Sequence, residues 1–591
     1  MMPKSSSPLL SWTVYTILLI VRVIIAPFLP GYIHPDEFFQ GGQELWFGCD
    51  STPPWEFQPQ HALRSVLPPI AMTWMPLRLY SWIFRRSLMS LSGQEVLVIP
   101  RMACAVASIL LVDVTIWKVT RQCETMHSER NRGVPLSVLL LASAWPSILM
   151  LSRPFSNTME TFCVVALFGI VIHECLQLDT PKQPSSPLFD TVFAIRVGII
   201  CALGIFTRFT FAFFVAPILL FLLYTMVHQR SHRSRPLLYS LLWMFLSFAA
   251  TSSLIIIMDT KYYQGMLDQQ KESWTLDLAS FKVPFSSLEV VLTPLNALHY
   301  NSQISNLKDH GLHPRWTHAL VNMFVLYGPL TLVAYFSFFE IPLNTSTFPK
   351  QPPKESTLKL VSQTTIVFGL AALSAAPHQE PRFLLPMVTC LAIVGNSLLK
   401  GARVWRYFLL LWIIFNVALL TLYGLLHQAG VVYSTLAIGS SMASRTPSLW
   451  IYWRTYMPPT FLTRRSHQSF DETVCNKGNR ILDLKGSSMQ TLLQILESEL
   501  QCDASAMSDL NTPIASSLQM VIPHLIEKDL VPAGWQQLDL LGSAYDCSFV
   551  TDFGPHLTTE DFPSIDMTSS NRSLSGYFRL GVYEVSCKRK K

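Results

Sequence analysis

The stretch Gly31-Tyr32-Ile33-His34-Pro35-Asp36-Glu37-Phe38-Phe39-Gln40 directly follows an apolar run from Trp12 to Pro30. Ionised groups beside hydrocarbon are expensive, so a histidine and two adjacent carboxylates there need a reason. One reason is local. Proline followed by acids suits a first helical turn, where the helix dipole favours negative charge. The other is chemical. A carboxylate at a membrane surface can serve as a general base, with its pKa set by burial and neighbouring charge. A helix starting at Pro35 puts Asp36 and Gln40 on one face and turns Glu37 elsewhere, so the two acids are expected to have different jobs.

Further polar clusters stand at the ends of other apolar runs. Thr52-Pro53-Pro54-Trp55-Glu56-Phe57, with Arg64-Ser65, sets aromatic rings beside acids. That suits a sugar ring and its hydroxyls, and equally an interfacial aromatic belt. Ser152 to Glu160 reads both as a capped turn and as a polar hairpin available for chemistry. Arg208 has only Thr207 and Thr210 as polar company. Arg101 and Asp113 fall in one apolar helix, roughly 18 Å apart, too far to pair with each other. Intramembrane ions of this kind are functional candidates. His310 and His313 are spaced i, i+3, but only Asp309 is near as a further ligand. His313 and Arg315 are therefore expected to contact phosphate or hydroxyls, with no metal site. His378-Gln379-Glu380-Pro381-Arg382-Phe383 opens an apolar helix, which suits an anion at that helix start or a phospholipid headgroup.

The elements that position these residues are membrane helices. Of the 591 residues half are apolar and only 14% are charged, against about 25% in soluble domains. The net charge of +6 sits in short loops, which reads as an orientation signal and not as a nucleic-acid surface. Crossings are expected near 11–30, 98–118, 135–151, 159–177, 191–207, 209–226, 236–258, 317–339, 358–376, 383–400 and 404–425, about eleven in all. The first is read as a retained span and not a cleaved signal, with Arg22 inside it. Leu63 to Ser87 is interrupted by Pro68, Pro69, Pro76 and several arginines. Reading it as interfacial puts the basic loops 121–132, 228–235 and 400–406 on one face, taken as cytosolic together with the N-terminus. The other face then receives the first loop (31–97), Arg208, a large loop (259–316), His378 to Arg382 and the tail, which suggests one lumenal site. No internal repeat of the kind common in transporters is visible.

The expected organisation is a transmembrane module over 1–430 and a small lumenal α+β domain over 431–591. Ser488 to Leu500 has helical spacing, and Asp539 to Thr551 and Tyr577 to Ser586 read as strands. Cys475, Cys502, Cys547 and Cys587 in the tail fit an oxidising compartment, with up to two disulfides and three possible pairings. Asn571 lies in a sequon on the lumenal side, whereas that of Asn344 is expected to be cytosolic and unused. Lys588 to Lys591 looks like a cytosolic retrieval signal but is expected in the lumen.

The motifs His34-Pro35-Asp36-Glu37, Trp55-Glu56-Phe57 with Arg64-Ser65, Phe155-Ser156-Asn157 to Glu160, and His378 to Phe383 resemble glycosyltransferase family 22. The resemblance covers about residues 11 to 460, and Thr52-Pro53-Pro54-Trp55-Glu56 departs from the usual Thr-Trp-Glu by inserted prolines. It implies a GT-C fold, an endoplasmic reticulum membrane location and dolichyl-phosphate mannose as donor. Within the family, His34 to Gln40, His310 to Arg315, His427-Gln428-Ala429-Gly430 and Thr455 to Pro459 look like the GPI mannosyltransferase 4 branch, which adds the fourth, α-1,2-linked mannose to a GPI glycolipid. The near alternatives are third-mannose GPI transfer and N-glycan mannosyl transfer. A lipid transporter or scramblase is the competing class. The resemblance implies inversion at C1 by single displacement. Asp36 is expected as base and Glu37 as a group orienting the acceptor. Arg208, His378 and Arg382 would hold the donor phosphate. His34, Gln40, Trp55, Glu56, His313 and Arg315 would contact the acceptor glycan. No cofactor is required by this scheme, and a role for a divalent metal stays open.

Overall fold

The computed structural model describes residues 8–49, 53–123, 133–177, 189–228, 237–268, 290–308, 311–339, 354–399, 405–440, 448–464, 479–500, 517–523, 545–558 and 578–587. Asn344, Asn571, His310, Cys475, Cys502 and Lys588 to Lys591 lie outside them.

Among the described residues eight helices are long and apolar enough to cross a membrane: Pro8–Phe28, Gly93–Cys123, Ser156–Gln177, Phe211–His228, Leu237–Met266, Lys354–Ser374, Pro381–Leu399 and Trp405–Leu426. The other three expected crossings appear as shorter or broken helices. Thr191–Thr207 is continuous. The crossing near 135–151 is Leu136–Ser143 followed by Trp145–Leu149, broken where Ala144 is extended ahead of Pro146. The amide freed at the break is recovered, because Trp145 N donates to Asn416 Oδ1 at 2.7 Å. The crossing near 317–339 breaks at Gly328, which stands at φ +46° with the Phe415 ring against the place a Cβ would occupy. Only glycine enters that conformation cheaply.

Buried ions lock the bundle. Arg22 of the first span meets Asp113 at 2.6 Å, Tyr15 also donates to Asp113 at 2.9 Å, and Ser108 accepts from Arg22 at 2.6 Å. Asp113 and Arg101 thus have separate partners, as their spacing requires.

Leu67–Ile83 forms the interrupted helix of the first loop in three segments. It is one-sided: Met72, Thr73, Leu77 and Ser81 are buried, and Met75, Leu79, Trp82 and Ile83 are exposed.

The tail carries a five-stranded mixed sheet: β1 Ser448–Tyr452, β2 Asn479–Asp483, β3 Ser517–Pro523, β4 Tyr545–Phe553 and β5 Leu580–Cys587, in the order β2-β1-β3-β5-β4. β1 runs parallel to β2 and β3, and β5 is antiparallel to β3 and β4. Residues on β1 alternate between two cores, as a strand period of two dictates. Leu449 and Ile451 pack with Leu492, Leu496 and Leu500 of the helix Met489–Leu500. Trp450 and Tyr452 join Tyr32, Phe38, Phe47, Val431 and Phe461. This second core is shared between the sheet and the first loop, so position 430 is no gap in the packing.

The connection is polar and covalent as well. Glu44 accepts from Thr460 N and Phe461 N at 3.3 Å each. Cys49 and Cys587 each belong to a disulfide, whereas Cys104, Cys123, Cys163, Cys175, Cys201 and Cys390 are free. The chain has eleven cysteines, so the partner of Cys49 can only be a tail cysteine. The expectation that bridges stay within the tail is corrected here: one of them ties the first loop to it.

Candidate functional site

The short helix Asp36–Phe39 is N-capped by Pro35 with both acids in its first turn. Its approach is fixed at Gly31, whose amide donates to Gly424 O at 2.8 Å. A Cβ on Gly31 would stand 2.1 Å from Tyr423 O, so nothing larger fits. His427 then holds the chain one residue on. Tyr32 N donates to His427 O at 2.8 Å, and His427 Nδ1 donates to Tyr32 O at 2.7 Å. Burial pushes the His427 pKa down to about 4, so the ring is neutral. Phe38 turns inward against Phe461, with ring centroids 5.4 Å apart.

The two acids separate. Glu37 is fully buried, meeting Arg101 at 2.5 Å and Arg153 at 2.6 Å. Arg153 also donates to Gly31 O at 2.6 Å. The expectation that Glu37 orients acceptor hydroxyls is corrected: both its oxygens are taken by buried guanidiniums, and it lies off the cavity. Asp36 and Gln40 share a face, and Gln40 Nε2 donates to Asp36 Oδ2.

Asp36 lies on the wall of a cavity of about 500 Å³ lined also by His34, Gln40, Arg208, His378, Glu380 and Arg382. Arg382 is the hub. It is paired with Asp36 and with Glu380, and donates to His34 Nδ1 at 2.8 Å. Asp36 N also donates to His34 Nδ1, at 3.1 Å. His34 Nδ1 thus faces two donors. His378 differs. Its Nδ1 faces Gly311 O at 3.0 Å and its Nε2 faces Glu380 Oε1 at 2.9 Å. Both partners only accept, so His378 is an imidazolium.

Burial pushes the Asp36 pKa up, but Arg382 and His34 more than offset this and hold it below the usual carboxylate range. For Glu380 burial is likewise outweighed by Arg382, His34 and His378. For His378 burial lowers the pKa, and the bond to Glu380 and its charge raise it above the ordinary value.

Arg208 follows the helix Thr191–Thr207 in extended conformation. It donates to Ser156 Oγ at 2.9 Å and meets Glu160 at 3.3 Å. Ser156 in turn donates to Gln40 Oε1 at 2.7 Å. The hairpin 152–160 thus backs the site through Ser156, which links Arg208 to Gln40, without lining the cavity itself.

Trp55 and Glu56 line the same cavity, with Glu56 held by Arg64 at 2.9 Å. His313 and Arg315 do not line it. The His313 ring lies 6.1 Å from that of His378, tilted at 50°, and Arg315 is exposed. Among the described residues no three His, Cys, Asp or Glu side chains gather as a metal site.

Glu380 carries as much of the charge geometry as Asp36, and sequence reasoning left it out of the site although it stands in the His378–Phe383 motif. Tyr300 and Asn301 of the cavity wall had no signal beyond lying in the large loop.

A bundle of membrane helices with a cluster of charged side chains on the wall of a cavity defines a polytopic membrane protein with a polar site at that cavity. The chain belongs to the Alg9-like mannosyltransferase family, which it matches over residues 13–462. It is therefore a mannosyltransferase, which sets aside the transporter reading. It is 31% identical over 529 residues to GPI mannosyltransferase 4 of Emericella nidulans, covering 85% of this chain and 84% of that one. Against GPI mannosyltransferase 4 of Candida albicans it is 28% identical over 516 residues, covering 86% and 91%. Against that of Saccharomyces cerevisiae it is 28% identical over 501 residues, covering 79% and 82%. Among solved structures, ArnT from Cupriavidus metallidurans bound to undecaprenyl phosphate aligns over 97% of this chain and 96% of its own, at 11% identity and a TM-score of 0.46.

Proposed function

We propose that this protein transfers mannose from dolichyl-phosphate mannose to the third mannose of a GPI-anchor precursor, forming an α-1,2 linkage in the lumen of the endoplasmic reticulum. The observation that carries the reading is Asp36 on the cavity wall, joined through Arg382 to Glu380 and His34, with Arg208 lining the same space. The acceptor hydroxyl oxygen attacks C1 of mannose as the C1–O bond to phosphate breaks, and configuration inverts. The hydroxyl proton passes to Asp36. Dolichyl phosphate leaves with the bonding electrons, and its growing negative charge is met by Arg382, Arg208 and the His378 imidazolium. The displacement as written uses no cofactor. The relatives' names support the GPI glycolipid as acceptor.

Two features support the lumenal side. The Cys49 disulfide joins first loop and tail in a family of membrane enzymes, and disulfides persist in oxidising compartments. The cavity also gathers groups that the topology argument assigned to one face, leaving the N-terminus cytosolic.

The test uses microsomes with labelled dolichyl-phosphate mannose. In cells lacking the protein, three-mannose GPI precursors should accumulate and the microsomes should fail to extend them. Normal extension together with build-up of an N-glycan precursor would instead favour the neighbouring branch of the family.

A further inference from the structure

Arg208 and Asp36 are joined by an unbroken line of hydrogen bonds whose direction is fixed at both ends. A guanidinium only donates and a carboxylate only accepts. Arg208 Nη1 donates to Ser156 Oγ at 2.9 Å, so the Ser156 hydrogen is turned to Gln40 Oε1, 2.7 Å away. That leaves the Gln40 amide nitrogen facing Asp36, where it donates to Oδ2. With the amide turned over, two acceptor oxygens would face each other at Asp36.

The line is built from three distant pieces of chain. Gln40 C-caps the short helix that carries Asp36. Ser156 opens the helix Ser156–Gln177, and Arg208 follows Thr191–Thr207. Gly41 lets the first two meet, because a Cβ there would stand 2.6 Å from Pro154 O. Thr73 donates to Gly41 O at 2.6 Å and holds that approach. Ser156 and Gln40 are both buried, and hydrogen bonds formed away from water are the stronger for it.

Arg382 also pairs with Asp36 Oδ2, whereas Oδ1 faces the His34 ring, with Nδ1 at 3.4 Å. Two donors on one oxygen stop the carboxylate from turning and leave the other oxygen as the better base.

Resting on the function proposed above, we infer that Ser156 and Gln40 are positioning residues for the base. Ser156 turns the Gln40 amide, and Gln40 with Arg382 holds Asp36 Oδ2 so that Oδ1 receives the proton of the acceptor hydroxyl. Ser156 lies outside the cavity wall and acts through its neighbours. Its hydroxyl also accepts from Arg208, so the base and the cation facing the phosphate share one geometry. Gln40 thereby serves the base and not the glycan.

The test measures transfer in microsomes at varied donor and varied three-mannose GPI acceptor. The full chain carries Ser156→Ala, Gln40→Met, both together, or Asp36→Asn. Ser156→Ala should lower kcat about 10-fold and Gln40→Met about 100-fold, the scale of a reacting group displaced by about 1 Å. The acceptor KM should stay within about twofold, as for a group that acts only in the transition state. The donor KM should stay within about threefold, since Arg208 keeps Glu160 and Thr210. The double variant should match Gln40→Met alone to within about twofold, because Ser156 then has no amide to turn. If Gln40→Met does not accumulate, the kcat and acceptor KM of Ser156→Ala decide alone. Losses that multiply in the double variant would overturn the proposal, as would an acceptor KM that rises while kcat holds. Asp36→Asn at a near-normal rate would sink the base assigned above. A severe loss in Asp36→Asn beside wild-type kcat in both single variants would overturn the positioning role alone.

Discussion

Arg382 donates to Nδ1 of His34 at 2.8 Å across 348 positions of sequence, and the same guanidinium pairs with Asp36 and Glu380. The start of the first loop and the start of the helix Pro381–Leu399 are therefore one electrostatic unit. A departing phosphate would share this guanidinium with two carboxylates, so its planar fork matters as much as its charge.

Arg382→Lys should for that reason behave as a severe change. An ammonium cannot present several fixed donors to Asp36, Glu380 and His34 together. The expected outcome is a loss of about 10²–10³ in kcat, the scale of removing one transition-state donor. Initial rates at saturating donor check it, and a rate within threefold of wild type would refute the hub role.

Asp36→Asn removes the base while keeping an acceptor for Gln40. Transfer should fall by about 10²–10⁴, and detergent-solubilised protein should lose some thermal stability because the Asp36 charge is stabilising, though less than Glu37→Gln loses, since Glu380 still pairs with Arg382. Near-normal transfer in microsomes would remove Asp36 from the base role.

Glu37→Gln should fail in the opposite way. Its carboxylate is the counter-ion for Arg101 and Arg153, all three fully buried. Removing one member of such a cluster leaves uncompensated charge and costs about 3–5 kcal/mol. The expected readouts are low yield and early thermal unfolding. The residual folded fraction should keep more specific activity than Asp36→Asn. A stable, inactive Glu37→Gln would return Glu37 to the chemistry.

The contrast between these acids shows what the sequence could carry. The i, i+4 relation put Asp36 with Gln40 and turned Glu37 away, because helix geometry is local. The partners of Glu37 were not legible, since Arg101 and Arg153 lie 64 and 116 residues away. The crossings were legible as apolar runs, but their breaks depend on tertiary partners such as Asn416 and Phe415. In the tail, β4 and β5 announced themselves through the expected strands Asp539–Thr551 and Tyr577–Ser586, which overlap them. β1, β2 and β3 did not, because parallel pairing with distant strands leaves no turn signal between neighbours. Tyr300 was hidden for the same reason as the partners of Glu37: it reaches the cavity wall because Asp259 holds its helix.

Cys49→Ser should cut the covalent tie between first loop and tail. A non-reducing digest of wild type should contain a Cys49 peptide linked to a tail cysteine peptide, absent from the variant. Loss of a native disulfide costs about 2–5 kcal/mol, so the variant should unfold earlier on heating. A Cys49 thiol that alkylates without reduction would contradict the bridge.

The pH dependence follows from opposite shifts on Asp36 and His378. The Asp36 pKa is depressed, so the stability it contributes is present above its ordinary value and is lost only as pH falls through the folded one. The His378 pKa is raised from 6.5. Its contribution is complete below that ordinary value and is lost as pH rises through the raised one. Between the two windows both groups are charged. For the free enzyme, kcat/KM should be flat from about pH 5 upward, since Asp36 is ionised throughout that range. It should fall on the alkaline side as His378 becomes neutral and one cation leaves the phosphate end. His378→Asn should lower the plateau and abolish that alkaline limb. A limb that persists unchanged in the variant belongs to another group, and the imidazolium read from Gly311 and Glu380 would then have no part in catalysis.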